Sequence, residues 1–226
     1  MKTLAKLTAF LPLAVTLVWL QFLPERVPVH YDLAGTADRW GSKWELLIGA
    51  GAALVLAAVL SLTGWLLRRK AGADEQKRAY AESNGKVVRI VALGVCLLFT
   101  ALQIFFLVNA GRGADAETDT IQAPMLKLTA AAIGVLLIVI GNFMPKARRN
   151  SALGFRCAWS MYNDETWRKS NRFGGRALMA AGLATVIAVL PAPESWAIPI
   201  LMVLLCVASV ATMICARKVY REEAGL

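Results

Sequence analysis

The apolar residues of this chain fall in long blocks rather than in alternation. By length the blocks run at 4–23, 46–67, 88–109, 125–144, 177–193 and 197–216, the fifth being short and open to extension by the residues before it. A helix needs about 20 mostly apolar residues to cross a bilayer. Within lipid every backbone polar group must be paired, which leaves helices or closed barrels. Barrel strands would alternate polar and apolar positions, and these blocks do not. The pattern therefore predicts an all-α fold, a polytopic membrane bundle of about six transmembrane helices. It divides into an N-terminal two-helix module at 1–68, with an outer loop at 24–45, and a C-terminal four-helix module at 87–226, with a cytoplasmic loop at 145–176.

The first block follows Lys2 and Lys6, as a signal peptide would. Its apolar run is long for that purpose, Pro12 interrupts it, and no A-x-A-like site precedes Pro24. It is expected to be an uncleaved first helix. Small residues four apart (Gly49, Ala53, Ala57 and Ser61 in the second block, Ala180, Ala184 and Ala188 in the fifth) predict stripes of close helix packing.

Composition agrees with a membrane bundle. The chain of 226 residues is 58% hydrophobic and 18% charged, with a mean hydropathy of +0.55. Cys96, Cys206 and Cys215 lie in apolar blocks and Cys157 beyond them, with no C-x-x-C spacing, so neither a disulfide framework nor a zinc site is expected. No cofactor is expected.

The net charge of +10 invites a nucleic-acid reading until its distribution is examined. With the N-terminus inside, 20 of the 25 cations fall on the cytoplasmic side, leaving Arg26, Arg39, Lys43, Arg112 and Lys127 outside. The positive-inside rule then predicts N-in and C-in. The basic excess reads as a signal for orientation and anionic lipid, and direct nucleic-acid binding is not expected. Glu25, Asp32, Asp38, Glu45, Asp115, Glu117, Asp119 and Glu194 make the outer face net acidic. The blocks hold almost no ionisable residue, which argues against ion-coupled transport. Gln103 is the one notable polar group far from an interface, unlike Gln21, Asn109 and Asn142.

Two loops carry the candidate chemistry. In the outer one, Pro24 and Pro28 predict an extended segment over Val27 to Tyr31, Gly35 and Gly41 supply turns, and Trp40 and Trp44 suit the headgroup zone. His30 is the chain's one histidine; with Asp32 and Asp38 it lacks a recognisable metal-ligand spacing, so a structural or recognition role is expected and no metal. In the inner loop Pro145 ends the fourth helix. Asn163 is a candidate N-cap with Asp164 and Glu165 in the first turn. A short amphipathic helix presenting Trp167 and Phe173 should follow, broken at Gly174-Gly175 before the fifth span. Trp159 and Trp167 suit an interfacial plane; a docking surface or a polar plug folded back into the bundle are the sharper readings. Asp164 and Glu165 could pair with Arg156 or Arg172. Adjacent acids on a helix point apart, so no enzyme is expected.

Together the loops resemble the SdpI/YfhL family of bacterial membrane immunity proteins. The outer resemblance rests on Val27-Pro-Val-His-Tyr-Asp, Gly35-Thr-Ala-Asp38-Arg-Trp40-Gly-Ser-Lys43; the inner one on Gly141-Asn142-Phe-Met-Pro145-Lys146, Asn150, Gly154-Phe-Arg156, Trp159, Asp164-Glu165, Trp167, Asn171-Arg172 and Gly174-Gly175. The resemblance implies resistance to a secreted membrane-active toxin peptide met by Pro28, His30, Asp32, Gly35, Asp38, Trp40 and Lys43. It also implies signalling in which the inner loop holds a cytoplasmic repressor at the membrane. The alternative is a small transporter or exporter of an apolar or lipid-like substrate. Candidate partners are membrane lipids, the toxin peptide, the repressor and a second copy of the chain.

Overall fold

The computed structural model of the chain describes residues 2–32, 36–72, 74–116 and 124–226, with the side chains of all of these but 2–6 and 113–116. Gly35, Glu117 and Asp119 lie outside the described residues, as does the side chain of Asp115.

Six helices are described: α1 (Lys2–Trp19), α2 (Leu47–Lys70), α3 (Glu75–Ala116), α4 (Met125–Phe143), α5 (Asp164–Val189) and α6 (Ala197–Ala224). Five helical stretches are long and apolar enough to cross a membrane, and α1 adds a shorter apolar one at Leu7–Trp19. The 18 residues of α1 rise about 27 Å, close to the ~30 Å hydrocarbon core. Phe10, Ile48, Val55, Ile187, Val203 and Ile214 are exposed. In water such a surface would aggregate; in lipid it is the ordinary outer face of a bundle.

The 42-residue α3 is the spine. It packs on α1 and α2 along one side and on α4 along the other. It begins at Glu75, well before the apolar block at 88, because Glu75-Gln-Lys-Arg-Ala-Tyr-Ala-Glu82 are mostly strong helix formers with nothing to stop them. Gln103, in its middle, is buried and satisfied. Its amide donates to Thr16 Oγ1 of α1 (3.0 Å) and to the Leu46 carbonyl just before α2 (2.9 Å), tying three helices together.

Two expectations fail at α5. The helix runs unbroken from Asp164 to Val189, through Gly174-Gly175. Those glycines are contact points. A Cβ on Gly175 would lie 2.5 Å from the Gly141 carbonyl oxygen of α4, and one on Gly174 would lie 2.8 Å from Thr212 Cγ2 of α6 and 2.9 Å from Met144 Cε. The close approach of three helices offsets the entropic cost of glycine within a helix. The stripe Ala180, Ala184, Ala188 is also displaced. Ala180 is exposed, and the packing face is Gly174, Gly175, Ala181, Gly182, Thr185 and Val189. On α2, Ala53 and Ala57 are buried as expected, while Gly49 leaves room for the Gln103 amide.

The connections gather at two ends. At one end the chain forms a hairpin of β1 (Arg26–Tyr31) and β2 (Ala37–Ser42), then a 3-10 turn at Lys43–Leu46. Val27 lies opposite Gly41, Pro28 opposite Trp40 and Tyr31 opposite Ala37, with the register irregular around His30. The extended segment Val27–Tyr31 is thus found, but as one half of a pair. Its partner, Ala-Asp-Arg-Trp-Gly-Ser, carries little strand propensity. Also at this end, Glu194 Oε1, from the α5–α6 connection, accepts from Leu126 N (2.5 Å) and Lys127 N (3.2 Å). A carboxylate from elsewhere caps α4, whose own N-cap residue, Pro124, has no side chain for the purpose.

Candidate functional site

The hairpin is anchored from beneath. Leu20, Leu23, Val27, Leu46, Leu107 and Ala110 form a buried cluster joining the end of α1, β1 and α3. Lys43 is the clamp: its Nζ donates to the Leu23 carbonyl (3.1 Å) and pairs with Glu25 (3.1 Å). Pro28 is fully buried and Trp40 half-buried. Ser42 caps the 3-10 turn while Glu45 returns to the Ser42 N–H (3.1 Å) and to Arg39 Nη1 (2.9 Å). A Cβ on Gly41 would meet the Glu45 carboxylate, which would have to leave its place in the cap to admit it.

His30 Nδ1 lies 2.6 Å from Asp38 Oδ1 across the hairpin, with both side chains largely exposed. The pair bridges the strands where their register is irregular, and one this exposed contributes little to stability. Asp32 Oδ1 accepts from Thr36 N (2.8 Å), and its own N–H donates back to the Thr36 carbonyl (2.8 Å), closing the turn. No group of three or more candidate metal ligands is found among the described residues. Beside the hairpin a cavity of about 360 Å³ opens between α2, α3 and α4. Val29, Phe99, Phe106 and Met125 line it, with Gln103, Thr129 and the Arg39–Glu45 pair as its polar features.

Tyr31 packs edge-on against Phe106, ring centroids 5.5 Å apart, and its hydroxyl is buried with no partner among the described residues. Burial pushes the phenol up to about 12. The folded value exceeds the unfolded one near 10, so folding favours the protonated form. Ionisation of this phenol therefore leaves stability unchanged below pH 10 and lowers it as pH rises from 10 toward 12. Tyr31→Phe removes an orphan hydroxyl worth about 1–3 kcal/mol of burial cost. The variant should melt at or above the wild-type temperature, and ultraviolet titration should lose one late-ionising phenol.

At the other end of the bundle, residues 147–163 fold against the helix ends as a built structure. Met144, Pro145 and Lys146 form a 3-10 turn that stops α4. The Lys146 carbonyl accepts from Ser83 Oγ (3.1 Å), its Nζ lies 4.1 Å from the Phe143 ring centroid, and Pro145 packs over Gly175. Asn150 organises a turn, its Oδ1 accepting from Ala152 N and Leu153 N, both at 2.7 Å. Gly154 then adopts a positive φ of 91° against the Trp167 ring and the Asn171 amide, where a Cβ would clash.

Trp167 and Asn171 are the buried lock of this end. Trp167 Nε1 donates to the Ala147 carbonyl (2.8 Å). Asn171 Oδ1 accepts from Phe155 N (2.7 Å), while its Nδ2 donates to the Trp167 carbonyl (3.1 Å). The expectation that Trp167 lies at the interface beside Phe173 is therefore corrected: Trp167 is only 3% exposed. It is drawn inward because its indole N–H finds a carbonyl partner there. Trp159 is half-buried, with the Arg217 guanidinium 5.8 Å from its ring. Asn163 is the N-cap as expected, in a reciprocal box with Thr166.

The expected acid pairings are also corrected. Asp164 pairs with Arg149 (2.8 Å) and accepts from the Tyr80 hydroxyl (3.1 Å), while Glu165 pairs with Arg168 (2.6 Å) and Lys169 (3.5 Å). The two carboxylates turn to opposite neighbours. Asn142, Arg156 and Arg172 are exposed. Sequence reasoning missed Asn84, which is buried on α3 and accepts from Arg148 N (2.8 Å), and Ser160, buried and donating to the Phe155 carbonyl (2.9 Å). Neither stands out by type; an Asn and a Ser flanking strong helix or turn signals are ordinary until a distant backbone group is known to face them. A cavity of about 340 Å³ lies above this loop, lined by Val91, Ile140, Leu153, Phe155 and Leu178.

A bundle with an apolar outer surface, clamped by a hairpin at one end and a folded loop at the other, is a multi-pass cell-membrane protein. Residues 146–216, covering the loop, α5 and most of α6, match the SdpI/YfhL protein family, and the resemblance to that family holds. Residues 7–55, covering most of α1, the hairpin and the start of α2, match a domain of unknown function designated DUF1648. The chain is 23% identical over 215 residues, 93% of its own length and 91% of the relative's, to "Immunity protein SdpI" of Bacillus subtilis (strain 168). No solved structure matches the chain.

Proposed function

We propose that this protein confers immunity to a secreted membrane-active toxin peptide, with the hairpin facing outside and the 147–163 loop in the cytoplasm. The observation that carries this reading is the similarity to Immunity protein SdpI along 93% of the chain, a span that takes in the hairpin, the loop and every helix between. The orientation follows from the cation distribution. The hairpin offers an outer face with the carboxylates of Glu25 and Asp38 exposed and an apolar cavity beside it, features that suit a peptide both cationic and apolar. On the other side, a loop pinned by Trp167 and Asn171 displays Arg156 and Arg172 and would hold a repressor by its exposed face.

Expression in a sensitive host should raise survival at least tenfold under a secreted membrane-active peptide, and unchanged killing would overturn the immunity role. Single cysteines replacing Asp38 and Ser151, in a background lacking the native cysteines, should label from opposite sides of intact cells. Export of an apolar or lipid-like substrate, favoured by the 360 Å³ cavity, is the second reading. It predicts movement of a labelled lipid in proteoliposomes, which immunity by binding does not need.

A further inference from the structure

A third cleft, of about 300 Å³, lies between α2 and α3 near the end that carries the 147–163 loop. Ala57, Leu60, Val88 and Ala92 form its walls, and Arg68 and Arg89 are its charged residues; no carboxylate lines it. Both arginines sit where apolar sequence gives way to polar, at the end of the block 46–67 and the start of the block 88–109. From Arg89 the cleft reaches seven residues along α3 to Cys96, about 10 Å into the hydrocarbon.

The two arginines differ from their basic neighbours. Arg149, Arg168, Lys169 and Lys77 are all in ion pairs with acids, and Arg69 and Arg148 lie over aromatic rings. Arg68 spends its Nε on the Gly64 carbonyl of its own helix (3.1 Å). Arg89 is partly buried, and its Nε is sealed from solvent with no partner among the described residues. A guanidinium held in an apolar cleft with an unused N–H is costly unless an anion meets it. Arg68, though exposed, lines the same cleft, and a guanidinium suits phosphate because its fork can grip it through two parallel hydrogen bonds. A free anion would have no use for the apolar walls beyond.

We propose that the α2–α3 cleft binds an anionic phospholipid, its phosphate held by Arg68 and Arg89 and an acyl chain lying along Ala57, Leu60 and Ala92. The cleft falls between the two matched segments, 7–55 and 146–216, so neither match assigns it. The inference is independent of immunity.

The test uses the full chain in neutral detergent, titrated with phosphatidylglycerol or phosphatidylcholine and read by native mass spectrometry and thermal melting. Phosphatidylglycerol should be retained at least tenfold more strongly than phosphatidylcholine and should raise the melting temperature. Glycerophosphate alone should raise it far less. R68Q/R89Q should lose the preference for phosphatidylglycerol. Because the Arg89 N–H is unpaired, R89Q without lipid should melt no lower than the wild type while also weakening the preference for phosphatidylglycerol, so that loss is read on folded protein. Equal retention of the two lipids, wild-type phosphatidylglycerol binding by R68Q/R89Q, or full stabilisation by glycerophosphate would each overturn the proposal.

Discussion

Trp167→Ala will open the loop end of the bundle. The ring is buried, its N–H is bonded to the Ala147 carbonyl at 2.8 Å, and its edge supports Gly154 at a positive φ. Removing a buried Trp side chain costs about 3–5 kcal/mol. The Ala147 carbonyl is left without its donor, and the cavity falls under a loop whose other major tie is Asn171. Trp167→Phe keeps most of the packing and loses the hydrogen bond, so its cost should be smaller, about 1–3 kcal/mol. Melting in detergent should therefore rank the wild type above W167F and W167F above W167A. Limited trypsin digestion should cut W167A first at Arg148, Arg149 and Arg156. Equal trypsin resistance in W167A and the wild type would show that the loop is held by something other than this lock. Protection against peptide should fall with loop order if the loop face is what a cytoplasmic partner reads.

The position of Trp167 shows how far the sequence can be read. Features set by the chain's own neighbours were legible. Long apolar blocks gave the helices, Pro145 gave the end of α4, Asn163 gave the start of α5, and Pro28 gave an extended strand. Features set by a distant partner were not. Trp167 looks interfacial until the Ala147 carbonyl, 20 residues away, claims its N–H. Asp164 has nearby arginines to choose from, and Arg149 is beside it because its Nη1 donates to the Met161 and Tyr162 carbonyls just ahead of α5. Gly174-Gly175 reads as a break because glycine is a poor helix former, and only the presence of α4 and α6 turns it into a contact. Gly35, among the candidate outer residues, lies outside the described residues.

The same glycines set the second large effect, at the α4–α5 interface. A Cβ on Gly141 would lie 2.5 Å from the Gly175 carbonyl oxygen and 2.9 Å from Met179 Cγ; one on Gly134 would lie 2.8 Å from the Gly182 carbonyl oxygen. The obstacles at both positions include backbone, so no rotamer change relieves them, and the helices must separate to admit even a methyl group. In lipid, where helices associate through packing rather than water exclusion, separation forfeits the contact along the whole seam. Gly141→Ala should cost about 1–3 kcal/mol by overpacking. Gly141→Leu should cost more, with the protein failing to accumulate in the membrane. Gly51→Ala is the matched control: nothing lies within 4 Å of the added Cβ, so it should gain up to about 1 kcal/mol from helix propensity. Opposite signs for the same chemical change, at two glycines in apolar helices of one bundle, would locate the effect in the seam. If G141A melts as high as G51A, α4 and α5 are not in backbone contact and the glycine seam is not what holds the C-terminal helices together.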